Sequence, residues 1–573
     1  MEQKKTLFRL LKYLTKYRLS VFLVILIMSI ASLILVILPF IAENIIDVQI
    51  VNKNINGVLR LSIIYIILVL VWWALSIIRV RIMSKVSNKA ILEIRDEVFK
   101  HLQTLDLYYF DSRPTGGILS RLIGDISSLK QLLTQLVTIL VPNTFFLLSL
   151  IVAMLILNPI LALGSLISLP IVFIGTFYIM SINYPRWYEY RHKQSEIAGF
   201  SHEAFQGIKV IQSLGAEEKE KNAFERINDE IVKLWIKCVR FGDSVGIIID
   251  LSRGIGYLFL YLFAIYLLKI DQSSVGELIA FSTYITLFWS PVRTLSQMYN
   301  QLSNNLSGAS RVFEILDEES SIIEKENIKD LPEVEGNVTF SEVSFSYPDE
   351  KDKLILKDVS FTVKKGEKIA LVGPTGAGKT TIINLISRFY DPIRGNVLID
   401  GYDIKDYSVS SLRRYVGVMT QESFLFTGTI LDNLRYGAED ASLERCKEAC
   451  RLIGCDDFIS RFGYDAKINE LSLSIGQKQL IALARTLIRD PKILILDEAT
   501  SSIDTNTEIK VQKGIQTLMK GRTCFVVAHR LSTIRNSDRI FVIDDGGIVE
   551  EGNHDELLIK DGYYATLYRA QFE

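Results

Sequence analysis

From Gln131 to Pro185 the chain runs for 55 residues without an Asp, Glu, Lys, Arg or His. Only a bilayer asks for so long an uncharged run. A spanning helix needs about 20 apolar residues, so the stretch holds two such helices and a turn. Asn158-Pro159 is the natural turn, because proline disfavours helix in the residue before it. Leu19–Ala42 is uncharged over 24 residues, with Pro39 near its end, and Leu61–Ile78 over 18, between Arg60 and Arg79. Gly254–Leu268 is a less clean run, preceded by Asp243, Asp250 and Arg253, and Leu278–Val292 is short and followed by Arg293. The expectation is an all-α membrane domain over 1–316 with six spans, at about 19–42, 61–78, 132–157, 160–182, 244–268 and 278–302.

Lys and Arg crowd two of the segments between these runs. Arg79 to Lys130 and Arg186 to Arg240 are rich in them, whereas Glu43–Arg60, Asn158-Pro159 and Lys269–Glu277 are short and carry few. Cationic loops stay on the cytoplasmic side, which places both termini there, in a multi-pass protein of the plasma membrane. The two inner segments keep a helical pattern and are expected to carry the spans well beyond the bilayer. Each is broken once, at Phe110–Gly117 and at Glu203–Lys209. These breaks are either solvated turns or short cross-helices that meet another domain. Leu7–Leu14 reads as an amphipathic helix, lying on the membrane or extending the first span into the cytoplasm. The basic N-terminus and the lack of a small-residue cleavage site mark the first run as a retained span, not a signal peptide.

Net charge is −1, which gives no reason to expect a nucleic-acid partner. The five cysteines are odd in number and lack metal spacing, so reduced thiols in a cytoplasmic compartment are expected. Within the spans, Asp250 and Arg253 stand one helical turn apart, which fits a mutual ion pair. Phe281, Tyr284 and Phe288 share one face of the last span, with Tyr257, Tyr261 and Phe263 on the span before it. Ordinary packing is the plain reading of these rings, and a cavity for flat apolar substrates is the sharper one.

After the polar linker 317–335 the pattern changes to alternating strands and helices, an α/β domain over 336–573. An apolar strand, Lys368–Val372, leads into Gly373-Pro374-Thr375-Gly376-Ala377-Gly378-Lys379-Thr380-Thr381, and an apolar helix follows. This is G-x-x-x-x-G-K-[ST], the phosphate-binding loop. Glycines let backbone N–H groups point at phosphate oxygens, the helix N-terminus adds positive charge, Lys379 reaches the β and γ phosphates, and the Thr380 hydroxyl can ligate Mg²⁺. Downstream, the apolar strand Ile493–Leu496 ends in Asp497 and Glu498. Asp497 suits a direct or indirect Mg²⁺ contact, and Glu498 a proton acceptor for attacking water.

With these motifs on one chain, the sequence resembles the ATP-binding cassette transporters in their half-transporter, exporter form, over essentially its whole length. Leu473-Ser474-Ile475-Gly476-Gln477 resembles the family signature. By the same resemblance Ser474 and the Gly476 N–H donate to the γ-phosphate of a partner's nucleotide, which the signature with Gln477 covers, Gln421 joins Mg²⁺ and water to the membrane half, and Asp504, after Ser501-Ser502-Ile503, lies on a loop that crosses the dimer interface. His529 matches the switch histidine and Tyr347 the aromatic that stacks on adenine. The resemblance implies ATP and Mg²⁺ as cofactors and a second half-transporter as partner. It also implies an ATPase coupled to transport of a hydrophobic small molecule, lipid or peptide, with a multidrug-type exporter first and a lipid flippase or peptide exporter as the alternative. Phe110–Gly117 and Glu203–Lys209 match the places where exporters carry coupling helices.

Two departures stand out. Ile475 replaces the usual glycine of the signature, and Lys467-Ile468-Asn469-Glu470 before it is shorter and less regular than the common pattern. A heterodimer, in which this chain supplies a working Glu498 to one site and a weakened signature to the other, is favoured over a homodimer.

Overall fold

The structure is a computed structural model that describes residues 2–269, 274–322, 324, 328–420, 423–469, 472–497, 504–527 and 534–572. The chain divides into two compact units. One comprises Met1–Gln103 and Thr115–Glu318, the other Thr104–Pro114 and Glu319–Glu573.

The first unit is helical, and its described residues include six helical stretches long and apolar enough to cross a membrane: Arg18–Ile50, Ile55–Thr104, Thr115–Leu157, Pro159–Gln206, Glu217–Leu267 and Val275–Leu295. Several far exceed their apolar runs. Where the second run is 18 residues long, its helix spans Ile55–Thr104, 50 residues. At 1.5 Å per residue that is about 75 Å, well over a bilayer's thickness. No glycine or proline interrupts it after Gly57, so nothing in the charged half stops the helix.

The pair of spans without charges is hinged at Asn158, whose backbone is extended and whose side-chain oxygen accepts from the N–H groups of Ile160 and Leu161, at 3.1 and 3.2 Å. Pro159 follows at the first helical position, where its missing N–H costs nothing. A second interruption, at Ile167–Ser168, precedes Pro170 and is less plain in the sequence.

The aromatic face of the last span packs inward. Phe281, Tyr284 and Phe288 are buried among Leu150, Met154, Leu161 and Leu260, and the Tyr284 hydroxyl donates to the Val36 carbonyl at 2.8 Å. The cavity reading therefore fails for these three rings, which the subunit's own core occupies. Tyr257 is also engaged, with its hydroxyl 2.7 Å from Thr286 Oγ1.

The second unit holds a four-stranded antiparallel sheet, a larger mixed one and a short antiparallel pair of β7 (Gly428–Thr429) with β8 (Lys467–Ile468). The first comprises β1 (Val338–Phe345), β2 (Leu356–Val363), β4 (Arg394–Ile399) and β5 (Tyr402–Asp403), in the order β2-β1-β4-β5. The larger sheet runs β12-β11-β3-β10-β9-β6. Its strands β3 (Lys368–Val372), β6 (Val416–Met419), β9 (Ile493–Asp497), β10 (Thr523–Val527) and β11 (Arg539–Asp544) are parallel, and β12 (Gly547–Gly552) closes the edge antiparallel. Unbroken apolar strands such as Ile493–Leu496 suit a parallel sheet covered on both faces. Much of the expected linker belongs to this unit, because Leu331 and Val334 are buried in its core. A second apolar core gathers the helices Leu443–Ile453 and Ile475–Arg489 with Cys446, Cys450 and Cys455, and all five cysteines are free and buried.

Candidate nucleotide site

Strand β3 delivers its loop to the carboxyl end of the parallel strands, the side on which open α/β sheets bind ligands. Gly373 turns so close to β11 that a Cβ there would run into the Ile543 carbonyl. Gly376 and Gly378 hold φ of +84° and +107°, backbone that side chains resist. Gly378 then caps the helix Lys379–Ile386. Pro374, Thr375 and Gly376 form an exposed rim, while Ala377 and Lys379 are buried beneath it.

The Lys379 ammonium donates to the carbonyls of Gly373 and Pro374, both at 2.8 Å. Desolvation holds its pKa below the usual value, an effect that the Asp497 carboxylate at the tip of β9 offsets only in part. A buried cation beneath this exposed rim is what a polyphosphate would stabilise. Thr380 is exposed at the second position of the helix. Thr381 is buried, with its hydroxyl 3.2 Å from the Tyr347 hydroxyl. Tyr347 stands edge-on to Phe345 and Tyr390, with ring centroids 5.0 and 5.3 Å away. The link from Tyr347 to Thr381 ties the candidate base-stacking ring to the phosphate loop, a link with no signature in the sequence.

Ser474 caps the helix Ile475–Arg489. Its hydroxyl accepts from the Gln477 N–H at 3.3 Å, and the Gln477 side chain accepts from the Ser474 N–H at 3.0 Å. Gly476 is buried and Ile475 is 52 % exposed. The branched side chain at the departure from the family pattern therefore points outward and leaves the helix start intact. This signature sits on the second core and the phosphate loop on the first. Asp504 caps the helix Thr505–Met519 through the Thr507 N–H at 3.0 Å, a bond that holds its carboxyl below the usual range. Gln421, Glu498 and His529, together with Ser501–Ile503 and Glu470, lie outside the described residues.

The cross-helices differ from their expected places. The first is Leu107–Asp111, just before much of the Phe110–Gly117 break, because Asp106 caps it by accepting from the Tyr109 N–H at 3.0 Å. Asp106 also accepts from the Ser321 N–H at 2.6 Å. Tyr108 bonds the Asp349 carboxylate, and the Tyr390 hydroxyl donates to Asp111 at 3.2 Å, while Leu107 and Tyr108 pack on the first core. Tyr390 thus touches both the cross-helix and the Tyr347 ring. The second cross-helix is Ile208–Leu214, between Gly207 and the left-handed Gly215. The N-cap aspartate and the C-terminal glycine were signals available in the sequence.

Residues 21–292 match the family model described as the ABC transporter transmembrane region, and residues 356–501 the one described as ABC transporter. The chain is 39 % identical to the uncharacterized ABC transporter ATP-binding protein YknV of Bacillus subtilis, over 99 % of this chain and 94 % of that protein. It is 33 % identical to the ATP-dependent lipid A-core flippase of Syntrophus aciditrophicus, over 94 % of this chain and 89 % of that protein. A solved bacterial Atm1-family ABC exporter with ATP bound superposes with a TM-score of 0.81 at 28 % identity, covering 98 % of this chain and 99 % of that one. Both halves and their order agree across these relatives, so the chain belongs to the ABC transporters and is an exporter-type half-transporter with ATPase-coupled transport as its activity.

Proposed function

We infer that this half-transporter pairs with a second half and moves a hydrophobic or amphipathic substrate out of the cytoplasm or inner leaflet, as a multidrug-type exporter of the plasma membrane with both termini cytoplasmic. One observation carries the coupling. The segment Thr104–Pro114, which connects the second and third spans, folds into the nucleotide-binding unit. A movement of that unit therefore pulls directly on two spans.

ATP would lie with its phosphates on the N–H groups of Gly376–Thr381, its β and γ oxygens on Lys379 and its adenine on Tyr347. Lys379 would exchange the two loop carbonyls for phosphate oxygens, a stronger, charge-assisted contact. Thr380 and Asp497, with Gln421, offer the oxygen donors that Mg²⁺ prefers, and no larger metal-binding cluster is present among the described residues. Mg²⁺ held there would neutralise charge that develops on the phosphates. Glu498 would take the proton of the attacking water, and His529 would contact the γ-phosphate. Ser474, Gly476 and Gln477 would cover the partner's ATP, with Asp504 at the dimer interface. ATP then closes the two cassettes and its hydrolysis releases them.

The test is Glu498→Gln, in which ATP binding should persist while turnover falls by roughly 10²–10⁴-fold. Unchanged turnover would remove Glu498 from the chemistry. Transport of a lipid is the second reading, supported by the likeness to a lipid A-core flippase.

A further inference from the structure

The helix Lys379–Ile386 begins at the phosphate loop, and about 12 Å further on the chain leaves it for Tyr390. Arg388 turns the chain there, in left-handed backbone with a φ of +48°. Its side chain is fully buried, donates to the carbonyls of Ile404 and Tyr407 at 2.8 and 2.7 Å, and pairs with Asp391 at 3.2 Å. Tyr390 is therefore held by the residues on either side of it. It is buried, and its ring stands edge to face with Phe345 and Tyr347, at centroid distances of 5.6 and 5.3 Å. Such contacts are directional, because the positive rim of one ring seeks the negative face of another. A change in the Tyr347 ring is thus felt at Tyr390.

The other end of Tyr390 meets the cross-helix Leu107–Asp111. Its hydroxyl donates to Asp111, the last residue of that helix, at 3.2 Å. Burial, and then the Asp111 carboxylate, push its pKa above the usual tyrosine value, so the proton stays in the bond. One helical turn earlier Tyr108 bonds Asp349, two residues beyond Tyr347 in the chain. The cross-helix is thus tied on both flanks of the candidate base-stacking ring. Neither tie uses a residue of the phosphate loop, and the loop's Thr381 meets this group through the Tyr347 hydroxyl, at 3.2 Å.

We propose that Tyr390 is a positioning residue through which the cross-helix registers a nucleobase on Tyr347, and that phosphates alone leave the cross-helix unchanged. This rests on the nucleotide-site reading, with Tyr347 as the stacking ring. A base lying on Tyr347 restrains that ring, the edge contact passes the restraint to Tyr390, and the hydroxyl bond holds Asp111 in place. Linkage requires the reverse effect as well, so the bond to Asp111 tightens base binding by the same factor.

Amide hydrogen exchange tests this on the full-length transporter in phosphatidylcholine nanodiscs. The ligands, each with Mg²⁺ and at saturation, are the β,γ-imido analogue of ATP and inorganic tripolyphosphate. Both should protect the phosphate loop, residues 373–381. Only the ATP analogue should slow exchange in the cross-helix segment 104–114, by about fivefold or more, the lower end of ordinary coupling. Tyr390→Phe keeps the ring and loses the bond, so the analogue should still protect the loop but no longer the cross-helix. Asp111→Asn keeps an accepting oxygen and should retain the effect. Tyr108→Phe should speed cross-helix exchange with either ligand and leave the difference between them. Equal cross-helix protection by tripolyphosphate, undiminished protection in Tyr390→Phe, or loss of the difference in Tyr108→Phe as well would overturn the assignment. If neither ligand protected the loop, the nucleotide-site reading itself would fall, so the two failures are told apart.

Discussion

Gly373 and Gly376 occupy the same motif for different reasons. A Cβ on Gly373 would collide with the Ile543 carbonyl, backbone of the neighbouring strand β11 that cannot step aside without parting the sheet. A Cβ on Gly376 meets nothing within 4 Å, and only its φ of +84° resists substitution. Gly373→Ala should therefore cost more than Gly376→Ala, which is expected to lose only about 1 kcal/mol from its left-handed backbone. Thermal unfolding and ATP affinity of the two variants would check this, and equal losses would contradict it. The glycine positions were legible in the motif. The crowding that separates them was not, because it arises from a strand more than 160 residues downstream in the sequence.

The cross-helix Leu107–Asp111 is too short to persist alone, since helix nucleation is unfavourable and a single turn returns few bonds. It is held by Asp106, which caps it and also accepts from Ser321. Asp106→Ala should remove about 1 kcal/mol of capping and leave the Ser321 N–H unpaired. Substrate-stimulated ATPase should then fall while basal ATPase persists. Loss of both together, with an unchanged thermal midpoint, would argue against a coupling role. The sequence placed a break nearby on the strength of Pro114, Gly116 and Gly117. The helix forms ahead of them because the cap and the contacts of Leu107 and Tyr108 with the first core outweigh the breaker.

At the scale of the molecule, the half-transporter cannot complete a site if the signature that covers its ATP comes from another chain. Ile475 bears on which chain that is. Its side chain is exposed and the capping box beneath it is intact, so the helix start is formed and only the covering surface is altered. The heterodimer reading predicts that the purified chain alone turns over ATP slowly and that Ile475→Gly raises the rate. Robust turnover by the unaltered single chain would sink that reading in favour of a homodimer.

The sequence by itself determined the order of domains, the number of spans and the phosphate loop. Each of these is a local property, set by the run length of apolar residues or by spacing within a few turns of chain. Tertiary structure alone decided which charges and rings are spent on packing. Phe281, Tyr284 and Phe288 were drawn into the core, while Asp250 was given a second arginine from another span. It also decided that Thr104–Pro114 folds with the nucleotide-binding unit. Those outcomes depend on contacts between residues tens to hundreds of positions apart, and pattern along the chain carries no record of them.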